Sequence, residues 1–159
     1  MSGLWRGFVG YVLGTRTDGH AETTAMGRLK QLTEHIHSAS KVAPSLADGI
    51  VVTGGAGAWE LGAFSADIIA AGAQADDYDV HYVHIEATSA NDEYEVVLYY
   101  GAGDTEAGRC RVLNGTTLDS STAPMMTPLI SAGSRLRAKC ASKSGGGDTV
   151  TISVQYHTY

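Results

Sequence analysis

Apolar and polar residues alternate most regularly in the last 28 residues of the chain, 132–159. The apolar positions are Leu136, Ala138 and Cys140 in the first half of this segment and Val150, Ile152, Val154 and Tyr156 in the second. A period of two is typical of a strand with one buried face. The glycine-rich run between the halves, residues 142–148, tolerates the positive φ angles of a chain reversal. The segment therefore predicts a terminal β-hairpin.

Further short apolar runs precede it, separated by turn residues as strands are. They lie at about 50–53, 58–61, 67–71, 80–87, 94–100, 108–113 and 125–130. The run at 94–100 is apolar on both sides because it contains Val97 and Tyr99, which predicts a strand covered on both faces, as at a subunit interface. This many short strands are typical of two packed sheets. We therefore expect a mainly β fold, an antiparallel β-sandwich or jelly roll, over residues 48–159.

The first 20 residues show no hydrophobic period. Trp5, Phe8 and Tyr11 are interleaved with glycine there, which predicts an extended N-terminal arm over residues 1–20. Such an arm packs either on its own domain or on a partner, and the sequence does not choose between the two.

A helical pattern follows over residues 21–40. Leu29, Leu32 and Ile36 recur with the spacing of one helix face, which predicts a short helix. This narrow stripe fits a coiled-coil stem formed by identical chains, and a single helix lying on a sheet shows much the same residues.

Composition agrees with a strand-rich domain. The chain has 159 residues, 20 of them glycine, and only 18% are charged. A chain of this length fits one ordinary domain with a short appendage. The formal net charge of −6 argues against a nucleic-acid partner, because phosphate binding draws its affinity from lysine and arginine.

Acidic and basic residues are concentrated in different parts of the chain. Residues 42–108 contain twelve Asp and Glu and no Lys or Arg, whereas residues 109–143 contain six Lys and Arg and a single Asp. If the basic strands lie beside Glu86, Glu93 and Glu95, cross-strand ion pairs of about 0.2 to 1 kcal/mol each help to set the register. On separate flanks, the same charges would form complementary patches for assembly.

The sequence contains no recognisable catalytic constellation, so we do not expect an enzyme. The glycine run at 53–60 lacks the Gly-Lys-Ser/Thr ending of a phosphate-binding loop and predicts a tight turn. Asp76, Asp77 and Asp79 do not have the spacing of an EF-hand loop. We therefore assign no catalytic, cofactor-binding or metal-ligating residue.

The histidines do not form a metal-binding motif either. His35 and His37 fall on different sides of the predicted helix, and His81 and His84 on opposite sides of a predicted strand. Zinc binding would require residues that folding or a symmetry axis brings together.

Cysteine use and hydropathy give an expectation about compartment. Cys110 and Cys140 fall on the apolar sides of predicted strands, which favours two buried free thiols over a cross-strand disulfide. Residues 1–13 lack the continuous apolar stretch of a secretory signal, and no segment approaches the roughly 20 apolar residues of a membrane span. We expect synthesis in a cytoplasm and no membrane partner.

Tyrosine is the most plentiful aromatic residue, with eight copies. Those in predicted strands or at the chain end are Tyr82, Tyr94, Tyr99, Tyr100, Tyr156 and Tyr159. Exposed tyrosines on a β-sandwich can stack on sugar rings, because each ring offers apolar area together with a hydroxyl. Buried tyrosines would instead belong to the core or to an interface.

The arm, the heptad helix, the stretch TEHIHSASKV at 33–42 and the terminal strands form a recognisable layout, and the segment LISAGSRLRAK at 129–139 looks similar to a penultimate strand of the same kind. Together they resemble virion structural proteins of tailed bacteriophages, namely head decoration (cement) proteins and head or tail fibre proteins. The resemblance spans most of the chain and rests on layout.

The resemblance implies a non-enzymatic homotrimer that is assembled in the bacterial cytoplasm and resides in the virion. As a decoration protein it would dock on the major capsid protein, or another virion protein, through Trp5, Phe8 and Tyr11. Its threefold seam would be formed by Leu29, Leu32 and Ile36. The alternative is a fibre or receptor-binding module of the same fold that recognises a cell-surface glycan.

Overall fold

The structure is a computed structural model that describes residues 40–113 and 121–159. The compact unit to which they belong spans Ser40–Tyr159. The predicted arm, the predicted helix up to residue 39 and all six proposed docking and trimer residues lie outside the described ranges. Their roles stay predictions.

The described part of the chain contains eight strands and one short 3₁₀ turn. The strands are β1 (Lys41–Ala43), β2 (Ile50–Thr53), β3 (Tyr78–Thr88), β4 (Glu93–Tyr100), β5 (Thr105–Leu113), β6 (Ser121–Pro124), β7 (Leu136–Ser142) and β8 (Thr149–Thr158), and the turn is Leu46–Asp48. The first strand thus begins N-terminal to residue 48, where the sequence pattern placed the start of the sandwich. None of the helices in the described part is long and apolar enough to cross a membrane.

The strands form two antiparallel sheets, which confirms the β-sandwich prediction. One sheet has five strands in the order β1–β8–β3–β6, with β2 also pairing with β8. The other has three strands in the order β5–β4–β7. Buried side chains from both sheets form one apolar cluster, as expected for a two-layer domain. Its largest fully buried members include Tyr78, Tyr94, Leu98, Ile130, Leu136 and Ile152.

The predicted terminal hairpin is wrong, although the buried faces of both strands are right. Leu136, on β7, and Ile152, on β8, are both fully buried. However, β7 pairs with β4 in the three-stranded sheet and β8 pairs with β3 in the five-stranded sheet. The glycine-rich connection therefore carries the chain from one sheet to the other. Alternation reports which face of a strand is buried and says nothing about its partner, so both arrangements give the same sequence pattern.

Two predicted strands, at 58–61 and 67–71, are irregular segments that follow the edge of β7. Backbone hydrogen bonds join Trp59 N to Ser142 O at 2.8 Å and Gly62 N to Cys140 O at 3.0 Å. The predicted strand at 125–130 is also misplaced, since β6 ends at Pro124. The glycine run does reverse tightly, as predicted, through a 2.8 Å hydrogen bond from Gly55 N to Glu60 O.

A β-bulge changes the facing of the histidines on β3. Val80 and Val83 are both fully buried although they are three positions apart, and the register against β8 shifts between Val80 and Tyr82. One extra residue therefore lies between the two valines, as in a β-bulge. As a result His81, Tyr82 and His84 all point away from the core. The prediction that His81 and His84 face opposite sides is wrong for this reason.

The segregated charges form cross-strand pairs, as the first of the two alternatives proposed. Glu95 on β4 lies 3.1 Å from guanidinium nitrogens of both Arg109 and Arg111 on β5. Glu93 similarly lies 2.8 Å from the Nζ of Lys143. Glu86 does not take part, because it belongs to the other sheet.

Val97 is fully buried on the outer side of β4, as the two-sided apolar pattern predicts. The residues that cover it belong to the same chain. On the same side of β4, Phe64 packs edge-on against Tyr99 with ring centroids 5.1 Å apart. A covered outer face of this strand therefore needs no second subunit.

Both cysteines are free, as predicted, but only Cys140 is buried, whereas Cys110 is partly exposed. Cys110 and Cys140 lie opposite Val96 on the two sides of β4. Two inter-strand spacings amount to about 9 to 10 Å, which is too far for a disulfide.

Candidate functional site

The most exposed aromatic surface of the five-stranded sheet lies on its outer side. There Tyr82, His84 and Glu86 follow one another at every second position of β3. Thr122 on β6 and Gln155 on β8 pair in register with His84 and Tyr82. We call this surface, defined by these five residues, the Tyr82 face.

Tyr82 is the one exposed member of the six tyrosines that the sequence singled out, with 41% of its surface accessible in the described structure. Tyr94 and Tyr156 are buried, and the remaining three are half-buried. The bulge explains this difference, because the extra residue on β3 turns the Tyr82 ring out of the core. Sequence alternation alone could not locate that bulge.

A cleft of about 330 Å³ begins at His84, two residues along β3 from Tyr82, which is not itself one of its lining residues. Its walls include Leu46 from the 3₁₀ turn, His84 and Glu86 from β3, and Ser121 and Thr122 from β6. His84 Nδ1 lies 3.0 Å from Thr122 Oγ1, which orients the imidazole within the cleft wall.

The cleft contains a carboxylate whose hydrogen-bonding capacity is incompletely used. Glu86 Oε1 is buried and has no hydrogen-bond partner among the described residues. Ser153 lies directly opposite His84 on β8, and its buried Oγ likewise has no hydrogen-bond partner among the described residues. The backbone at Gly49 passes so close that an added Cβ there would lie 2.3 Å from Glu86 Oε2. Buried polar atoms are almost always satisfied in folded proteins, so Glu86 Oε1 marks a place in the cleft wall where a water or a ligand can supply a partner.

A second polar cluster lies at the end of the same sheet. Asp79 Oδ1 and His81 Nε2 are 3.0 Å apart, and the His81 and His157 rings have centroids 4.4 Å apart. The Tyr159 hydroxyl also bonds to Asp79, and burial together with this carboxylate raises the pKa of Tyr159 to about 12. No local sequence pattern predicts this cluster, because the two histidines are far apart in the chain.

The outer side of the three-stranded sheet carries aromatic rings as well, but cations cover them. Arg137 lies 3.7 Å from the centroid of the Phe64 ring and Lys139 lies 4.2 Å from it. Arg111 similarly lies 4.4 Å from the centroid of a Trp59 ring. Because cation–π contacts already occupy these ring faces, this surface is a poorer platform for stacking a ligand.

Comparison with known proteins finds similarity in structure but none in sequence families. No family model and no curated protein matches the sequence. The CBM36-1 domain of a multidomain xylanase from the hindgut metagenome of Trinervitermes trinervoides aligns with a TM-score of 0.43 and 11% identity, over 76% of this chain and 98% of that one.

Two further carbohydrate-binding modules align with similar scores. The C-terminal CBM6 of LamC, a marine laminarinase from Zobellia galactanivorans, has a TM-score of 0.40 and 14% identity over 76% of this chain and 100% of its own. Module CBM6cm-2 of Cellvibrio mixtus lichenase 5A, in complex with cellotriose, has a TM-score of 0.38 and 17% identity over 77% and 88%. All three TM-scores are below 0.5, so these neighbours define no function for this chain.

Proposed function

We propose that this chain is a non-catalytic glycan-binding module and that carbohydrate binds at the Tyr82 face. This corresponds to the glycan-recognition alternative of the sequence analysis. The observation that carries the proposal is the juxtaposition of an exposed tyrosine ring with a cleft whose carboxylate, Glu86, has a buried oxygen without a partner among the described residues.

The tyrosine supplies the apolar part of sugar recognition. One face of a pyranose ring consists mainly of C–H groups, and an exposed aromatic ring is a flat apolar surface with a hydroxyl at its edge. Tyr82 lies on a central strand with β6 and β8 on either side, so its backbone position is fixed by both ladders. A ring on a rigid strand loses little conformational freedom when it binds.

The cleft supplies the polar part. Glu86 is two strand repeats from Tyr82, which corresponds to about 13 Å along the strand and lets an oligosaccharide span both positions. A sugar hydroxyl donates to Glu86 Oε1 and satisfies an acceptor that would otherwise cost free energy when buried. His84 and Thr122 line the path between the two and offer further polar groups.

The test is a glycan array probed with the purified chain, followed by calorimetry on the best ligand. We expect Tyr82→Ala to weaken binding about tenfold or more, equivalent to about 1.4 kcal/mol. Tyr82→Phe should retain most of the affinity, because the stacking surface remains. Glu86→Gln should also weaken binding, because an amide cannot accept as strongly as a carboxylate.

The matched control is Met126→Ala. Met126 is an exposed apolar side chain, 81% accessible, and it is not among the residues of the Tyr82 face or the cleft wall. It should leave glycan affinity unchanged. Absence of any bound glycan, or equal affinity of the Tyr82→Ala variant and the unaltered chain, would refute the proposal.

The virion setting remains a separate proposal. A capsid-docking arm and a threefold seam would place such modules at high local concentration, so that weak sites act together. The native mass in solution tests the trimer, and particle occupancy after deletion of residues 1–18 tests the docking role. A monomeric mass or unchanged occupancy would reject those parts without affecting the glycan site.

A further inference from the structure

We propose that Asp79, His81 and His157 form a binding site for a divalent transition metal, with Zn²⁺ as the ion that fits them best. One ligand atom from each of the three residues lies within 4.8 Å of the other two. The inference does not rest on glycan binding, because none of the three residues lines the cleft beside Tyr82.

The fold brings the three side chains together in two ways. Asp79 on β3 lies directly opposite His157 on β8 in the strand register. Asp79 and His81 flank Val80, which is fully buried, so the alternation of the strand puts both of them on the outer side. His81 is the extra residue of the bulge, so it has no register partner on β8. The site thus depends on long-range pairing between β3 and β8.

The distances suit a metal after small side-chain rotations. In a tetrahedral zinc site with bonds of about 2.0 to 2.1 Å, neighbouring ligand atoms are about 3.3 Å apart. Asp79 Oδ1 and His81 Nε2 are already 3.0 Å apart. The three residues are neither fully buried nor fully exposed, so an ion has access and their atoms can adjust.

The donor set selects the kind of metal. Two imidazole nitrogens and one carboxylate oxygen are typical of zinc sites that leave a fourth position for water or a ligand. Calcium and magnesium prefer oxygen ligands, so they should bind here weakly. The set needs no cysteine, and both cysteines lie on the three-stranded sheet instead.

Tyr159 supports the site from outside the three proposed ligands by hydrogen bonding. Its hydroxyl bonds to the Asp79 carboxylate, and its backbone N donates to Asp77 O at 2.9 Å. Hydrogen bonds of this kind orient a ligating carboxylate and are a regular feature of metal centres. A metal here would also tie the C-terminal end of β8 to the beginning of β3.

The experiment is a calorimetric titration of the metal-free full chain with Zn²⁺, repeated with Co²⁺ while its visible absorption is recorded. Any histidine tag is removed first. We expect one tight site in the unaltered chain and the intense visible bands of tetrahedral Co²⁺. At a hundredfold excess of Zn²⁺ over its dissociation constant, the melting temperature should rise by about 5 to 10 °C.

Three substitutions separate this site from other histidines. His81→Ala and His157→Gln should each weaken Zn²⁺ binding at least tenfold and remove the Co²⁺ bands. His84→Ala is the matched control, because His84 lies on the same strand and the same face but contacts Thr122. It should bind Zn²⁺ like the unaltered chain. All samples retain His35 and His37, so any background from those residues is shared.

Two results would overturn the proposal. One is the absence of a tight Zn²⁺ site in the unaltered chain. The other is equal Zn²⁺ affinity in the His157→Gln variant and the unaltered chain. His157 is partly exposed near the end of a strand, so the glutamine variant should fold even if His81→Ala does not. Its circular dichroism spectrum checks this directly. If the chain binds no glycan, the outcome of the Zn²⁺ titration is not affected, so the two proposals can fail separately.

Discussion

Tyr78 and Tyr156 meet edge to face in the core, with ring centroids 5.8 Å apart and ring planes inclined by 72°. They belong to adjacent strands of the five-stranded sheet, β3 and β8. Each hydroxyl reaches a polar group at the edge of the core. Tyr78 donates to the backbone O of Ser134 at 2.9 Å, and the Tyr156 hydroxyl accepts from Gln74 Nε2 at 2.7 Å. The pair therefore fixes two loops to the sheet while its rings fill the core.

Removing one of these hydroxyls should destabilise the domain. Tyr78→Phe leaves the Ser134 carbonyl without this donor, and we expect the free energy of unfolding to fall by about 1 kcal/mol. Urea denaturation followed by circular dichroism measures it. Tyr82→Phe serves as the control, since its ring is exposed, and it should change stability by less than about 0.5 kcal/mol. Equal effects of the two substitutions would contradict the assigned role of Tyr78.

The same tyrosine predicts a loss of stability in alkali. Burial, and secondarily the nearby Tyr156, raises the pKa of Tyr78 from 10.0 to about 12. Because the folded state favours the neutral phenol, this stabilising contribution is complete below pH 10 and is lost as the pH rises towards 12. Urea midpoints measured between pH 9 and 12 should fall, and they should fall less in Tyr78→Phe. A flat profile would show that the hydroxyl ionises equally easily in both states.

The cysteines should be unreactive in the folded protein. The pKa of both Cys110 and Cys140 is raised from 9.0 to about 11, mainly by burial. At pH 8 a pKa of 11 leaves about one thiolate per thousand thiols, about a hundredfold fewer than a pKa of 9 would. Labelling with a thiol reagent should therefore be at least a hundredfold slower in buffer than in denaturant. Rapid labelling of Cys140 in the native protein would contradict its buried position.

The connection between β7 and β8 should be sensitive at one glycine and less so at the next. Gly145 has φ +75° and an added Cβ would lie 2.6 Å from the backbone O of Ala56, whereas Gly146 has φ +86° and open space around it. Both alanine substitutions incur the cost of a left-handed conformation, about 1 to 2 kcal/mol. Only Gly145→Ala adds a clash with the glycine-rich turn, so it should destabilise more. Comparable melting temperatures of the two variants would contradict the close packing of this loop.

Much of the fold was predictable because strand alternation reflects burial. The apolar positions from Val150 to Tyr156 are all buried, and Glu95 pairs with the arginines of the neighbouring strand. The pairing partner of each strand was harder to predict from the sequence. A connection rich in glycine can close a hairpin or cross between sheets, and the energy that decides between them comes from packing against the distant segment 55–57.

The candidate site was harder to predict than the fold. Tyr82 was one of six tyrosines with similar sequence surroundings, and only the bulge on β3 exposes it. The charge pattern predicts Glu86 as one possible partner for the basic strands, whereas in the structure it lines a cleft together with Leu46 of the turn between β1 and β2. Asp79 and His157 meet through pairing between distant strands, which a local pattern does not encode.

The most direct test of the central claim is an NMR titration of the isotope-labelled chain with the glycan that binds it best. The account predicts that amide shifts change at Tyr82, His84, Glu86 and Gln155, while the outer side of the three-stranded sheet, around Phe64, stays unchanged. Shifts confined to the surface around Phe64, or no shifts with any glycan, would contradict it.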